Sequence, residues 1–323
     1  MKISIAMATY NGAKYLQEQL DSFVAQTQLP DELIVSDDGS SDETLAIVEN
    51  FARQAPLKVS IYQNDHNLGF AMNFETAIRQ CSGDIIFLSD QDDVWFPHKL
   101  MTVLKIFIES PKVLAIINNA NLVDTHLYDT GLTKLGQIRS LGLQDSDFLT
   151  GCCTAFRGSL LPLLLPFPAI NSYVHDTWLH ALVNRLNIRR IIEEPLQYYR
   201  RHDKNTSTFL ASSTTPVNSS DLIRAYKYQD PRPWCQRRIQ QLAVLRKRID
   251  EKGISTLAPL GMVETIPRAL QSIDSEIIAS QARLHLLQYS RIQRFLPALW
   301  MYIQGQYKVF KGWKSLAKDL YHV

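Results

Sequence analysis

Asp90, Asp92 and Asp93 place three carboxylates within four residues, at the end of the stretch Gly83-Asp84-Ile85-Ile86-Phe87-Leu88-Ser89-Asp90-Gln91-Asp92-Asp93-Val94-Trp95. The first half of the stretch is apolar, is bounded by Gly83 and polar residues, and reads as a buried strand. Unpaired carboxylates beside a buried strand repel one another and lose hydration, so something positive should sit there. Asp90 and Asp92 are separated by one residue and point the same way on an extended chain. That suits a hard divalent cation, Mg²⁺ or Mn²⁺, which takes oxygen ligands and can bridge to a diphosphate. The same residues equally suit an Asp-rich turn that caps a helix opening near Pro97.

The elements that must position these residues alternate. Residues 2–8 read as a strand, Asn11-Gly12 as a turn, and Leu16, Leu20, Phe23 and Val24 recur at helical spacing. Leu33-Ile34-Val35 is a second strand, ending in Ser36-Asp37-Asp38-Gly39-Ser40-Ser41-Asp42. Ser40 and Glu43 have capping-box spacing for a helix whose inward face is Leu45, Val48 and Phe51. A strand over 58–62, a helix over 69–79 and the 85–88 strand follow. This alternation predicts an α/β fold with a mostly parallel sheet, in which ligands gather at the carboxyl ends of strands. Thr9-Tyr10-Asn11, Asp37-Asp38 and Asp90-Gln91-Asp92-Asp93 all fall at such ends. The first turn lacks a G-x-G-x-x-G fingerprint, and no Walker A sequence is present, which strengthens the case for a metal.

Farther on, 112–118 reads as a strand and Gly151-Cys152-Cys153-Thr154-Ala155-Phe156 as a small-residue strand. His175-Asp176-Thr177-Trp178-Leu179 opens a helix, where Asp176 suits either an N-terminal cap or a general base. A strand over 188–192 precedes the aromatic-basic segment Pro195–His202, whose His202 is either structural or a metal ligand. The predicted division is a catalytic domain over 1–205, a Ser/Thr-rich linker over 206–217 and a helical extension over 218–323, with interruptions at Pro297, Gly305 and Gly312. From residue 281 on, seven Lys and Arg residues face one acid, Asp319, and aromatics interleave with them. That pattern suits an anionic membrane surface. It also suits aromatics packed on the catalytic domain with the lysines as its solvated face.

The totals set limits. The 323 residues are 46% hydrophobic and 20% charged, which allows a sizeable core, and the net charge of +2 argues against a nucleic-acid binder. The four cysteines form no C-x-x-C pair, so a reducing, cytoplasmic setting is expected. Met1-Lys2-Ile3-Ser4-Ile5 enters a strand pattern directly, with no signal peptide expected.

Read in order, Met7-Ala8-Thr9-Tyr10-Asn11-Gly12, Val35–Asp42, Asn67-Leu68-Gly69, Ser89–Trp95, Gly151-Cys152, His175-Asp176 and Tyr199-Arg200-Arg201-His202 with Asn205 resemble the family 2 glycosyltransferases. The resemblance is to the bacterial rhamnosyltransferase-like branch and covers roughly residues 1–205. It implies a GT-A fold, a nucleotide-sugar donor, inversion at the anomeric carbon, and a role in cell-surface polysaccharide (O-antigen or capsule) assembly. By position, Thr9, Tyr10, Asn11, Asp38, Asn67, Gly69, Asp90 and Gln91 would bind the nucleotide-sugar. Asp90 and Asp92 would hold the metal, with His202 a further ligand, and Asp176 would be the base. Gly151, Cys152, Trp95 and His175 would border the acceptor. The donor expected is dTDP-rhamnose or a UDP-hexose, and the acceptor a lipid-linked or polysaccharide chain met at the inner face of the plasma membrane. A sugar-1-phosphate nucleotidyltransferase should carry a Gly-rich basic loop after the first strand, which Asn11-Gly12-Ala13-Lys14 does not supply. A non-catalytic nucleotide-sugar or glycan-binding module would tolerate loss of Asp90, Asp92 and Asp176, and all three are present.

Overall fold

Ile3, Ile5 and Met7 are buried on one side of the first strand and Ser4 and Ala6 on the other, because helices cover both faces of a parallel sheet. The computed structural model describes every residue except 171–173, 227–228 and 322–323. Its chain opens β1 (Ile3–Thr9), α1 (Ala13–Val24), β2 (Glu32–Asp37), α2 (Thr44–Gln54), β3 (Lys58–Gln63), α3 (Phe70–Gln80) and β4 (Ile85–Ser89). It continues β5 (Val94–Trp95), α4 (Lys99–Glu109), β6 (Ala115–Val123), β7 (Asp129–Thr133), α5 (Lys134–Ser140), β8 (Thr154–Arg157), α6 (Leu161–Leu164), α7 (His175–Arg185) and β9 (Arg189–Arg200). Among the described residues the sheet runs β3-β2-β1-β4-β8-β6-β9-β5, with β7 paired to β6. The first four strands are parallel; β8 is antiparallel to both its neighbours, and β6 and β9 are again parallel.

Register decides where the site lies. Thr9 pairs with Asp37 and Met7 with Ser89, so the carboxyl ends of β1, β2 and β4 emerge side by side. Leu16, Leu20 and Phe23 of α1 pack under this edge with Phe87, Trp95 and Leu100. At the opposite edge Glu32 accepts from Ser4 Oγ at 2.5 Å and from Ser82 N at 2.7 Å. Burial works against its charge, but these bonds hold its pKa down at about 2.

Several local expectations change. The capping box at Ser40 does not form, because Ser40 Oγ turns back to donate to Asp37 Oδ2 at 2.6 Å. α2 starts at Thr44 instead, whose N–H donates to Asp42 Oδ1 at 3.0 Å. Gly151–Cys153 is a single 3-10 turn rather than strand, and only Thr154–Arg157 joins the sheet. The segments 188–192 and 195–202 merge into β9, with Glu193 and Glu194 bulged out so that Pro195, which lacks an N–H, follows a register shift opposite Asn119. The 206–217 segment is pinned along α5: Gln137 Nε2 donates to Ser213 O at 3.1 Å and Thr215 O at 2.7 Å, and Lys134 Nζ donates to Ser212 Oγ.

The chain divides into two compact units, the first comprising Met1–Ala169 and Val174–Ser219. The second carries α8 (Ser219–Tyr226) from its boundary, then α9 (Pro231–Leu257), α10 (Thr265–Leu286), α11 (Arg291–Ile303) and α12 (Trp313–Tyr321). Pro297 does not interrupt α11. It forfeits one bond to the carbonyl of the exposed Gln293, which water can reach. No helix among the described residues is long and apolar enough to cross a membrane.

Candidate active site

Thr9, Asp37 and Asp38 end the first two strands, and their side chains are spent on holding loops. Thr9 Oγ1 donates to Asp37 Oδ2 at 2.8 Å. Asp38 is buried and accepts from the backbone N–H groups of Leu68 and Gly69, both at 2.8 Å, and from Asn64 Nδ2 at 3.0 Å. Asn67 Nδ2 donates to the Asp38 carbonyl at 3.3 Å. Gly69 needs its positive φ of 80° to present that N–H just ahead of α3. Asn11, also left-handed at φ 47°, donates its N–H to Ser40 Oγ and accepts from Ser41 N, each at 2.8 Å. Gln91 makes a two-way pair with the Tyr10 backbone at 2.9 and 3.0 Å and leaves the Tyr10 ring exposed. Together these bonds bring Thr9, Tyr10, Asn11, Asp38, Asn67, Gly69 and Gln91 along one rim.

At the end of β4 the three acids take different roles. Both oxygens of Asp93 are committed: Oδ1 accepts from Arg200 N at 3.1 Å and Oδ2 from Gln197 Nε2 at 2.8 Å. Asp92 Oδ2 lies 2.8 Å from His202 Nε2 and accepts from Asn205 Nδ2 at 3.1 Å, and the Asp92 carbonyl accepts from Arg200 Nε at 2.8 Å. The His202 ring stacks on Tyr15 with centroids 4.8 Å apart. Asp90, Asp93 and Cys152 bring ligand atoms within 4.8 Å of one another. Burial, then the charges of Asp92 and Asp93, push the Asp90 pKa well up, and Asp176 adds to the repulsion. Burial and Asp92 raise Asp93 to about 7. Burial pushes the Cys152 thiol up as well, so it is neutral and a poor donor to a hard cation.

The group whose ligand atoms come together is Asp90, Asp93 and Cys152, whereas of the expected metal set of Asp90, Asp92 and His202 the last two are bonded to each other. The partners of Asp92 are on Oδ2, and its Oδ1 carries no hydrogen bond among the described residues, while Asp90 lies in the buried acid cluster. Carboxylates this crowded and desolvated gain from a cation, so the donor set fits Mg²⁺ or Mn²⁺.

Asp176 lies in the first turn of α7, where its Oδ1 accepts from Thr177 N at 2.6 Å. Val174, not Asp176, is the N-cap. His175 is buried between Phe74, stacked at 4.1 Å, and Phe70 at 5.9 Å, and its Nδ1 finds no hydrogen-bond partner among the described residues. Gly151 packs under this turn: a Cβ there would lie 2.5 Å from His175 Nε2 and 3.3 Å from Asp176 Cβ. The 3-10 turn over Gly151–Cys153 thus sits against Asp176 at one end and the acid cluster at the other.

Residues 4–162, which hold the rim and the acid cluster, match the family model described as Glycosyl transferase family 2. That stretch is a family 2 glycosyltransferase domain. Among curated glycosyltransferases, it is 29% identical over 226 residues to an uncharacterized glycosyltransferase of Nostoc sp., covering 67% of this chain and 69% of that protein. It is 28% identical over 217 residues to the dTDP-rhamnosyl transferase RfbG of Shigella flexneri, covering 62% of this chain and 72% of that one. Among solved structures, residues 1–349 of S. aureus TarS with UDP-GlcNAc superpose with a TM-score of 0.54 at 18% identity, over 99% of this chain and 82% of that one. At that identity the likeness speaks to the fold alone, which is GT-A.

For this glycosyltransferase two sequence expectations need correction. Trp95 does not border an acceptor: it is buried against Phe23, Phe87 and the Lys99 ammonium, because β5 turns it into the core under α1. Cys152 is likewise buried and faces the acids. Sequence reasoning missed Lys99, Gln197 and Arg200 as supports. Lys99 Nζ donates to Gln197 Oε1, whose amide holds Asp93; Arg200 reaches Glu18 and Thr125 O as well as Asp92 O. The available signal was polar Gln197 set between Leu196 and the Tyr198-Tyr199 pair.

Proposed function

We propose that this enzyme transfers a sugar with inversion from a nucleoside-diphosphate donor to a hydroxyl of a lipid-linked or polysaccharide acceptor in bacterial cell-surface polysaccharide synthesis. The observation that carries it is that one 3-10 turn, Gly151–Cys153, packs against Asp176 through Gly151 and against Asp90 and Asp93 through Cys152. A donor diphosphate at Asp90 and Asp92 would present its anomeric carbon toward α7. The acceptor oxygen attacks that carbon, the bond to the β-phosphate oxygen breaks, and Asp176 takes the hydroxyl proton. Asp90 and Asp92 would hold Mg²⁺ or Mn²⁺, which when bound stabilises the charge that develops on the leaving phosphate. His202 and Asn205 fix Asp92, and Arg200 fixes the backbone that carries it.

The likeness to the Shigella dTDP-rhamnosyl transferase supports dTDP-rhamnose ahead of a UDP-hexose as donor. A lipid-linked acceptor would place the enzyme at the inner face of the plasma membrane, as a peripheral protein.

The test is a titration of purified protein against dTDP-rhamnose, UDP-glucose and UDP-GlcNAc, with Mn²⁺ or with EDTA, repeated on Asp92→Ala. Metal-dependent binding of one donor that Asp92→Ala weakens supports the reading. Full activity of Asp92→Ala in EDTA would sink it. NMR of the product's anomeric configuration checks inversion.

A further inference from the structure

Helix α11 is turned inside out relative to an ordinary surface helix. Its large apolar residues Ile292, Phe295, Leu296, Leu299, Trp300 and Ile303 are all exposed, Ile292 at 90%, Leu296 at 73%, Ile303 at 66% and Trp300 at 62%. At about 100° per residue they share one arc of about 140°. The opposite side, Arg294, Ala298 and Met301, is the buried one. Ala298 and Met301 pack on Leu286 and Tyr307. Arg294 donates Nε to Tyr289 O at 2.7 Å and Nη1 to Asp319 O at 3.1 Å. Asp319 is itself held by Arg283 through two bonds of 2.8 Å and by Tyr307 Oη at 2.8 Å. A buried polar knot therefore fixes which side of α11 faces outward, and the apolar side is held there before any partner arrives.

From residue 281 on, the exposed charge of the described residues has one sign. Asp319 is the only acid in residues 281–323, and it is buried in the knot. Arg291, Lys308, Lys311 and Lys314 are exposed, and Trp313 stands out among them at 64%. A second copy of this face would bring like charges together. A surface with an apolar interior and anionic rim satisfies both the arc and the lysines. α11 has 13 residues, too few to span a bilayer, so it suits lying in the plane of the interface.

We infer that α11 is the element that inserts into an anionic lipid bilayer, its Ile292–Leu296–Ile303 face down and Lys308, Lys311 and Lys314 on the headgroups. This deepens the peripheral location proposed above, and it rests on the exposed face and its charge rather than on the chemistry of transfer. The full chain should float with vesicles of phosphatidylcholine mixed with phosphatidylglycerol, more strongly at low salt, and far less with phosphatidylcholine alone. Leu296→Glu with Ile303→Glu should abolish flotation while leaving the melting temperature and donor binding unchanged, since both positions are already exposed. Lys308→Gln, Lys311→Gln and Lys314→Gln together should weaken low-salt binding by roughly 10²-fold, the weight of three bases near an anionic leaflet. Wild-type protein that ignores anionic vesicles overturns the inference. So does light scattering that shows a dimer which the double Glu variant converts to monomer without any effect on vesicle binding. Donor binding is read in parallel, so loss of the proposed activity and loss of the membrane element are told apart.

Discussion

Gly151 has no room for a side chain, and that single fact joins two sites that the sequence shows 24 positions apart. A methyl group there would push into His175 and toward Asp176. Gly151→Ala should therefore displace the first turn of α7 and lower turnover by about 10²-fold, the scale set by ångström misplacement of a reacting group. Donor affinity should change little, which steady-state kinetics with varied donor would show. Asp176→Asn keeps shape and removes the proton acceptor, so turnover should also fall by roughly 10²-fold or more with the fold intact. If that variant melts well below wild type yet turns over normally when folded, Asp176 is serving the helix and the base is another group. The sequence displays Gly151, His175 and Asp176 as separate points. Their contact depends on how a 3-10 turn meets a helix start, and no local pattern encodes that.

At the scale of elements, β9 supports the acid cluster. Gln197 accepts from Lys99 and donates to Asp93, while Arg200, three residues on, holds Asp93 and Asp92 through the backbone. Burial lowers the Lys99 pKa to about 8, even though the neighbouring cysteines and Asp93 favour its charge. Gln197→Leu would remove one hydrogen bond from a buried ammonium and one from a buried carboxyl, leaving Lys99 with Cys152 O at 3.4 Å and Asp93 with Arg200 N at 3.1 Å. The expected loss is about 3 kcal/mol in urea unfolding, near what removing one partner of a buried polar network costs. A loss within the scatter of ordinary surface substitutions, about 0.5 kcal/mol, would show that Lys99 and Asp93 are satisfied without it. β1, α1, β2, α2, β3, α3 and β4 are legible in the sequence, because each carries its own period and its own turn residues. β9 is not legible as one strand, since Pro195 and the two bulged glutamates break its pattern.

The whole molecule should titrate in a way that reveals the cluster. Burial and the charge of Asp92 raise Asp93 from its ordinary 3.8 to about 7. Between those values the folded state keeps a proton that the unfolded state has released. Stability should therefore fall as pH rises across that window, with no cost below it and the full cost above it. Lys99 acts in the opposite sense at the other end. Its pKa drops from 10.5 to about 8, so the unfolded state holds the extra proton and stability should recover as pH climbs between the two. Urea unfolding in EDTA should show the acid-side fall, and Mg²⁺ should shrink it by neutralising the cluster. A profile flat from pH 3.8 to 7 in EDTA would mean that the carboxylates are solvated rather than crowded.

What the sequence determines by itself is local and ordered: alternating strand and helix periods, polar residues at strand ends, Asp90-x-Asp92, and bases interleaved with aromatics near the end. Each is written within a few neighbouring positions, where backbone geometry makes spacing equivalent to direction. Only the tertiary structure decides which groups meet. Gln197 bonds Asp93 across 104 positions and His202 reaches Asp92 across 110, through a sheet order that no periodicity records. It also decides which side of an amphipathic element is inside. The sequence of α11 shows apolar residues on one arc and would normally place that arc in the core. The Arg294–Asp319–Arg283 knot claims the other side, because buried charges must keep their partners, and the apolar arc is left outward.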